Sequence, residues 1–194
     1  MENFQSLYDL LNFEQVRRLP DLYLRKKSVS DLFVFISGYH LCGQIHGFTE
    51  ATEPPFWMFF HWVMKRLEHN GSFHNWDGML LEACGGDEEA ALNRFFEEFD
   101  LFQTLSVSRH ALIQPDEKAQ AYFIDHLNQT RPDLINHPNK PGPATELEVY
   151  SYAPDFGCAL YERRVNTLAW GNYFTSENEL NDWMMVKYGI AMDW

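Results

Sequence analysis

The sequence has 194 residues and a mass of 22.9 kDa, enough for one sizeable domain that needs no disulfide or metal to hold it together. Hydrophobic residues make up 45% and charged residues 22%, a globular composition that excludes an intrinsically disordered chain. The net charge of −13, from 28 acids and 15 bases, argues against nucleic acid and anionic membranes as partners, whereas it attracts basic proteins.

Helical signals follow one another through the first hundred residues. Apolar residues recur at helical spacing, and proline, glycine and capping residues mark the boundaries. Five predicted helices begin near Leu7, Ser28, Pro54, Asn75 and Asp87. The first ends near Arg18, and the next three end near Gly43 or Gly47, Gly71 and Gly85. In the fifth helix one narrow stripe, which we expect to be buried, contains Leu92, Phe95, Phe96 and Phe99.

The second half of the chain changes character. Residues 106–113 are compatible with an extended segment, 116–127 with a helix, and the proline-rich stretch 128–144 with a loop. The hydrophobic period then becomes two, which predicts strands over about 147–152, 158–161 and 168–174. A capping box at Ser176 and Glu179 opens a last helix, which Gly189 ends.

These elements predict an α+β protein. An N-terminal bundle of about five helices is followed by a small antiparallel sheet of two or three strands and a C-terminal helix. Residues 1–105 form the helical portion, 106–145 a helix and proline-rich connection, and 146–194 a lobe of sheet and helix. We expect these three segments to pack as one compact unit.

The expected location is the cytoplasm. No apolar run reaches the ~18 residues that a membrane helix needs, and the N-terminus lacks the basic start and apolar stretch of a signal peptide. The three cysteines, Cys42, Cys84 and Cys158, are odd in number and widely spaced, which favours reduced thiols.

Catalytic and metal-binding motifs are missing from the sequence. There is no His-Glu-x-x-His, Cys-x-x-Cys, Gly-x-Ser-x-Gly, P-loop or Gly-x-Gly-x-x-Gly pattern, so we expect no catalytic residue, metal or cofactor. Two alternatives to a binding protein stay open. One is a regulatory module, and the other is an enzyme whose cleft contains His61, His69, His74, Cys84 or scattered acids.

Charge is unevenly distributed along the chain. Bases concentrate between Arg17 and Lys27, and acids between Glu82 and Asp100. Acids at the start of the fifth helix favour the helix dipole, whereas Glu97, Glu98 and Asp100 lie at its opposite end, where the dipole opposes them. They are solvated, pair with the basic run, or face a partner. Because Glu97 and Glu98 point away from the apolar stripe, this trio is the predicted acidic binding site, with Asp100 its weakest member.

Several helical blocks within residues 17–100 resemble those of a group of small bacterial proteins, some of which look like immunity proteins of bacterial toxin systems. The blocks include Arg-Arg-Leu-Pro-Asp-Leu-Tyr-Leu, Phe-Ile-Ser-Gly-Tyr, Phe-Trp-Met-Phe-Phe-His-Trp-Val and Glu-Glu-Ala-Ala-Leu-Asn-Arg-Phe-Phe-Glu-Glu-Phe. The resemblance implies a fold more than a function, and it assigns no catalytic residue. Together with the acidic, aromatic-rich composition, it leads us to expect a non-enzymatic inhibitor of a basic protein toxin.

Overall fold

A computed structural model describes residues 6–46, 52–69, 75–134, 136, 142–153, 156–164 and 167–192, with the backbone alone at 44 and 167–170. The chain divides into two compact units, Met1–Thr104 and Leu105–Trp194. The first is helical, and the second combines a sheet with two helices, which confirms the α+β class. The predicted three-segment division, and its packing as one compact unit, stay predictions.

The described part of the first unit contains six α-helices: α1 Leu7–Asn12, α2 Glu14–Arg18, α3 Val29–His46, α4 Phe59–Arg66, α5 Trp76–Ala83 and α6 Glu88–Phe102. The single helix predicted from Leu7 to near Arg18 is in fact two helices, because Phe13 adopts an extended conformation between α1 and α2. Side-chain caps begin other helices where the sequence indicated them. The Ser28 hydroxyl accepts from the Asp31 backbone N–H at 3.1 Å, and Asp87 accepts from the backbone N–H groups of Glu89 and Ala90.

Aromatic rings fill the core of the first unit. Phe59 lies at its centre and contacts Phe95 edge-on at 5.2 Å and Phe102 at 5.4 Å. Of the predicted α6 stripe, Leu92, Phe95 and Phe99 are buried, whereas Phe96 is only half-buried. The buried face of α6 is rotated away from Phe96, so that it includes Phe102.

The described part of the second unit contains β1 Ser106–Ile113, α7 Glu117–Thr130, β2 Glu146–Ala153, β3 Gly157–Arg164, β4 Thr167–Phe174 and α8 Glu177–Tyr188. These residues form one sheet of four antiparallel strands in the order β1-β2-β3-β4. The prediction of two or three strands was therefore wrong. The additional strand is β1, which forms the sheet edge beside β2 and comes from the segment 106–113, predicted to be extended but not counted in the sheet.

Strand alternation gives the sheet two different faces. One face packs against α7 and α8, and its core consists of Phe123, Ala144, Leu147, Val149, Cys158, Leu160, Phe174, Leu180, Met184 and Tyr188. The intervening residues of β1, β2 and β3, and Tyr173 of β4, point to the opposite face. No helix among the described residues is long and apolar enough to span a membrane.

Candidate protein-binding site

Glu98, the central residue of the predicted acidic site, is fully buried. Its carboxylate accepts from the Trp62 indole N–H at 3.0 Å and pairs with Arg66 at 3.1 Å and Arg94 at 2.5 Å. The expectation that Glu98 is free to meet another protein was wrong. Its place three residues after Phe95 puts it on the buried face, where two arginines compensate its charge.

The other two acids of the predicted site are exposed. Asp100 forms a bidentate ion pair with Arg17, at 2.6 and 2.9 Å. It therefore pairs with the basic segment between Arg17 and Lys27, one of the three alternatives given for these acids. Glu97 has a side chain 65% exposed and contacts Arg94 at 3.2 Å. A partner-binding role for Glu97 and Asp100 stays a prediction.

His61, His69 and Cys84, three of the residues considered for an enzymatic cleft, lie within the described structure. His61 is half-buried, and burial lowers its pKa to about 4, so this ring is neutral at pH 7. His69 lies 3.4 Å from Glu82, Cys84 is half-buried, and His74 lies outside the described residues. Among the described residues, no group of three or more His, Cys, Asp and Glu has the geometry of a metal site.

A cleft of about 530 Å³ lies in the second unit, beside the start of α8. Arg109 pairs with Glu177 there at 3.0 Å, and the Ser151 hydroxyl donates to Glu177 at 3.2 Å. Burial raises the pKa of the Cys158 thiol, so this cysteine is a poor nucleophile. The described lining residues include no histidine to act as its base.

The sheet face opposite α7 and α8 is rich in tyrosine, and we call it the tyrosine face. Its residues are His110, Leu112, Glu146, Glu148, Tyr150, Tyr152, Ala159, Tyr161, Arg163 and Tyr173. Glu148 lies at its centre, between Leu112 of β1 and Tyr161 of β3. His110, Leu112 and Arg163 are exposed on it.

Glu148 is held in its charged form by three neighbours. The Tyr150 hydroxyl donates to it at 2.5 Å, Arg163 donates at 3.2 Å, and the His110 ring nitrogen Nε2 lies at 3.2 Å. The Tyr150 hydrogen bond is the largest cause that lowers the pKa of Glu148; burial opposes it, and Arg163 and His110 add to it. The tyrosine face therefore has a fixed negative charge among its rings.

The rings around Glu148 form a contiguous aromatic cluster, in which Tyr152 is buried and Tyr150, Tyr161 and Tyr173 are half-buried. His110 stacks on Tyr150 with 4.6 Å between centroids, and Tyr161 meets Tyr150 edge-on at 5.9 Å. Ala159, which is paired with Tyr150 and Tyr173 in the sheet, is fully buried. Such rings offer large, rigid contact areas with a polar end, a combination that is frequent in protein interfaces.

Arg163 covers the carboxylates of the tyrosine face. It pairs with Glu146 at 3.1 Å and with Glu148 at 3.2 Å, and its own side chain is 60% exposed. Glu146 and Glu148 are less exposed, at 29% and 17%, so the cation is the more accessible member of both pairs.

The sequence contained a signal for this face that strand prediction alone did not use. In β2, Glu146, Glu148, Tyr150 and Tyr152 alternate with Leu147, Val149 and Ser151. This alternation predicts that the strand has two different faces. That the acids and tyrosines lie on the face without helices becomes clear only when α7 and α8 are known to pack on the opposite one.

Comparison of the chain with protein-family models, with curated proteins and with solved structures found no match.

Proposed function

We propose that this protein is a non-enzymatic bacterial binding protein, an immunity-like inhibitor that binds a basic protein toxin through the tyrosine face. The observation that carries the proposal is the cluster of Glu148, Tyr150 and Tyr161 on one sheet face, with Glu146 beside it. Tyrosines supply contact area, and charged carboxylates accept charge-assisted hydrogen bonds from lysine or arginine.

Charge complementarity supports a basic partner. The chain has a net charge of −13, and a field of this sign accelerates the encounter with a positively charged protein. The resemblance of residues 17–100 to immunity-like proteins agrees with such a role. The three cysteines are free thiols, which is consistent with a role in the cytoplasm.

The direct test uses a candidate partner, the product of a toxin gene immediately upstream in the source genome. We expect the wild-type protein to bind this toxin and to suppress its toxicity in growing cells. Replacement of Tyr161 by alanine removes a ring from the centre of the tyrosine face and should weaken binding by about 2 kcal/mol or more. Titration calorimetry measures the affinity.

The matched control is Tyr122→Ala on α7, because Tyr122 is 47% exposed and lies away from the tyrosine face. This control should bind as tightly as wild type. Equal affinity of the Tyr161 variant and wild type would show that the tyrosine face is not the interface. A toxin that neither binds nor is neutralised would contradict the immunity proposal for that partner.

A further inference from the structure

Helix α3 exposes an unusual amount of apolar surface. Leu32 and Ile36 are buried in the first unit, yet on the opposite side Val34, Leu41 and Ile45 are 68%, 57% and 70% exposed. A surface helix normally has polar residues on its outer side, so an apolar outer side indicates a contact with another molecule.

The exposed residues of α3 follow a heptad pattern. Val34, Gly38, Leu41 and Ile45 are separated by four, three and four residues, the spacing of the seam along which two helices pack. Gly38 interrupts the three large side chains, and a Cβ added there would meet nothing within 4 Å. The seam is therefore a row of knobs with one open hole.

This seam is also free of formal charge. From Leu32 to His46 there is no Asp, Glu, Lys or Arg, although the whole chain has a net charge of −13. Two copies of so acidic a protein repel each other, and an uncharged surface is where they approach at least cost. A basic partner would gain nothing from charge here. The charge pattern thus favours a second copy over the basic protein proposed for the tyrosine face.

We propose that the protein forms a symmetric dimer in which α3 packs antiparallel against the same helix of a second copy. In this register Leu41 lies over the open hole at the partner's Gly38, and Val34 lies against the partner's Ile45. The two-fold axis repeats both contacts, as an isologous interface requires. Antiparallel helices also align their dipoles favourably.

The surroundings of Val34 fit this register. A pocket of about 410 Å³ lies beside Val34 and is also lined by Tyr23, Leu24, Phe35 and the ion pair of Arg25 and Asp31, whose charged groups lie 3.8 Å apart. In the antiparallel arrangement the partner's Ile45 faces this pocket. The preceding turn also exposes apolar side chains, since Leu19 and Leu22 are 55% and 68% exposed. A parallel arrangement would instead set Gly38 against the partner's Gly38 and leave a void.

The first test measures dimerisation by sedimentation equilibrium. We expect wild type to dimerise, and Leu41→Glu to raise the dimer dissociation constant by about 30-fold or more. Gly38→Leu should do the same by filling the hole, while its melting temperature stays at or above that of the wild-type monomer, because leucine favours a helix more than glycine does. The matched control is Val186→Glu on α8, since Val186 is 58% exposed outside the seam and should leave the dimer intact.

The second test fixes the orientation by disulfide cross-linking in a Cys42→Ser background, because Cys42 is exposed. The double variant Val34→Cys, Ile45→Cys should oxidise to a covalent dimer, and neither single variant should. Cross-linking of the single variants would show a parallel pair and overturn the proposed register. A wild-type protein that stays monomeric at about 100 µM, or a Leu41→Glu variant that dimerises like wild type, would overturn the proposal. Neither outcome bears on toxin binding at the tyrosine face.

Discussion

At the scale of single residues, a small error in the predicted rotation of α6 reverses the predicted burial of two side chains. Phe96 and Glu98 are two positions apart, and the helix places Phe96 half in solvent and Glu98 in the core. The Glu98 carboxylate can be buried because Arg66, Arg94 and Trp62 compensate its loss of hydration. The hydrophobic pattern of the sequence does not reveal such compensation by residues of α4.

The rotation of α6 predicts unequal costs for its two phenylalanine truncations. Phe99 is fully buried, so Phe99→Ala should lower the free energy of unfolding by about 3–5 kcal/mol. Phe96→Ala should cost clearly less, because its half-buried ring leaves a smaller cavity. Urea unfolding of both variants measures the difference. Equal losses would contradict the rotation seen in the structure.

Glu162 is a second compensated acid, and it lies in the second unit. It is 3% exposed, pairs with Lys187 at 2.9 Å and Arg164 at 3.2 Å, and accepts a hydrogen bond from the Tyr188 hydroxyl. Burial alone would raise the pKa of Glu162, but Lys187, Tyr188 and Arg164 outweigh it and lower the pKa. The carboxylate is therefore charged in the folded protein at neutral pH.

Removal of this charge should be costly and pH-dependent. Glu162→Gln leaves two cations without their carboxylate and should lower the free energy of unfolding by about 3–5 kcal/mol at pH 7. Because folding lowers the pKa of Glu162, its contribution is present above the unfolded pKa of about 4.3 and is lost as the pH falls through the folded value. Urea unfolding of both proteins from pH 7 down to pH 3 should show the gap narrowing in acid. A gap that stays constant would show that the ionised carboxylate is not the cause.

At the scale of elements, the hairpin between β2 and β3 depends on one glycine. Gly157 has φ +128°, and a Cβ there would lie 2.3 Å from the Phe174 carbonyl oxygen of β4. Gly157→Ala should therefore lower the free energy of unfolding by about 1–3 kcal/mol or more, through backbone strain and steric overlap. Gly142→Ala is the matched control, since a Cβ at Gly142 meets nothing within 4 Å. Thermal unfolding compares the two, and equal melting temperatures would contradict this account.

Local signals made several elements predictable. Ser28, Asp87 and Ser176 cap the helices that the sequence assigned to them, because a cap is a contact between near neighbours in the chain. The full sheet was harder to predict. Residues of β1 find their partners about forty positions later in β2, so Ser106 pairs with Ala153 and Ile113 with Leu147. Five of its eight residues are exposed in succession, and such a strand lacks the alternation that identifies one.

The candidate site was still less predictable, for a physical reason. An acidic run such as Glu97, Glu98 and Asp100 is visible in the sequence, but whether each acid is exposed depends on residues far away in the chain. Glu148 and Tyr161 belong to different strands and become neighbours only through sheet register. Composition indicates an acidic, aromatic-rich chain, whereas strand pairing determines which acids and tyrosines share a face.

At the scale of the whole molecule, net charge has opposite effects on the two proposed associations. Dimerisation through α3 brings together two chains of charge −13, so long-range repulsion opposes it. Binding of a basic protein at the tyrosine face is assisted by the same field. Salt weakens both effects, because the screening length falls from about 10 Å at 0.1 M to about 3 Å at 1 M.

The two associations should therefore respond to salt in opposite directions. From about 0.1 to 1 M NaCl, the dissociation constant of the dimer should fall, because screening removes repulsion while the uncharged seam is retained. Over the same range, association with the basic toxin should slow, and Glu97→Lys should mimic part of that slowing at low salt, since exposed charges mainly set the association rate. Sedimentation equilibrium measures the first effect and stopped-flow fluorescence the second. A dimer that dissociates as salt rises would mean that ion pairs hold it together. Because the α3 seam has no charged residues, that result would contradict the proposed dimer interface. A toxin that associates equally fast at both salt concentrations would remove the electrostatic argument for the tyrosine face.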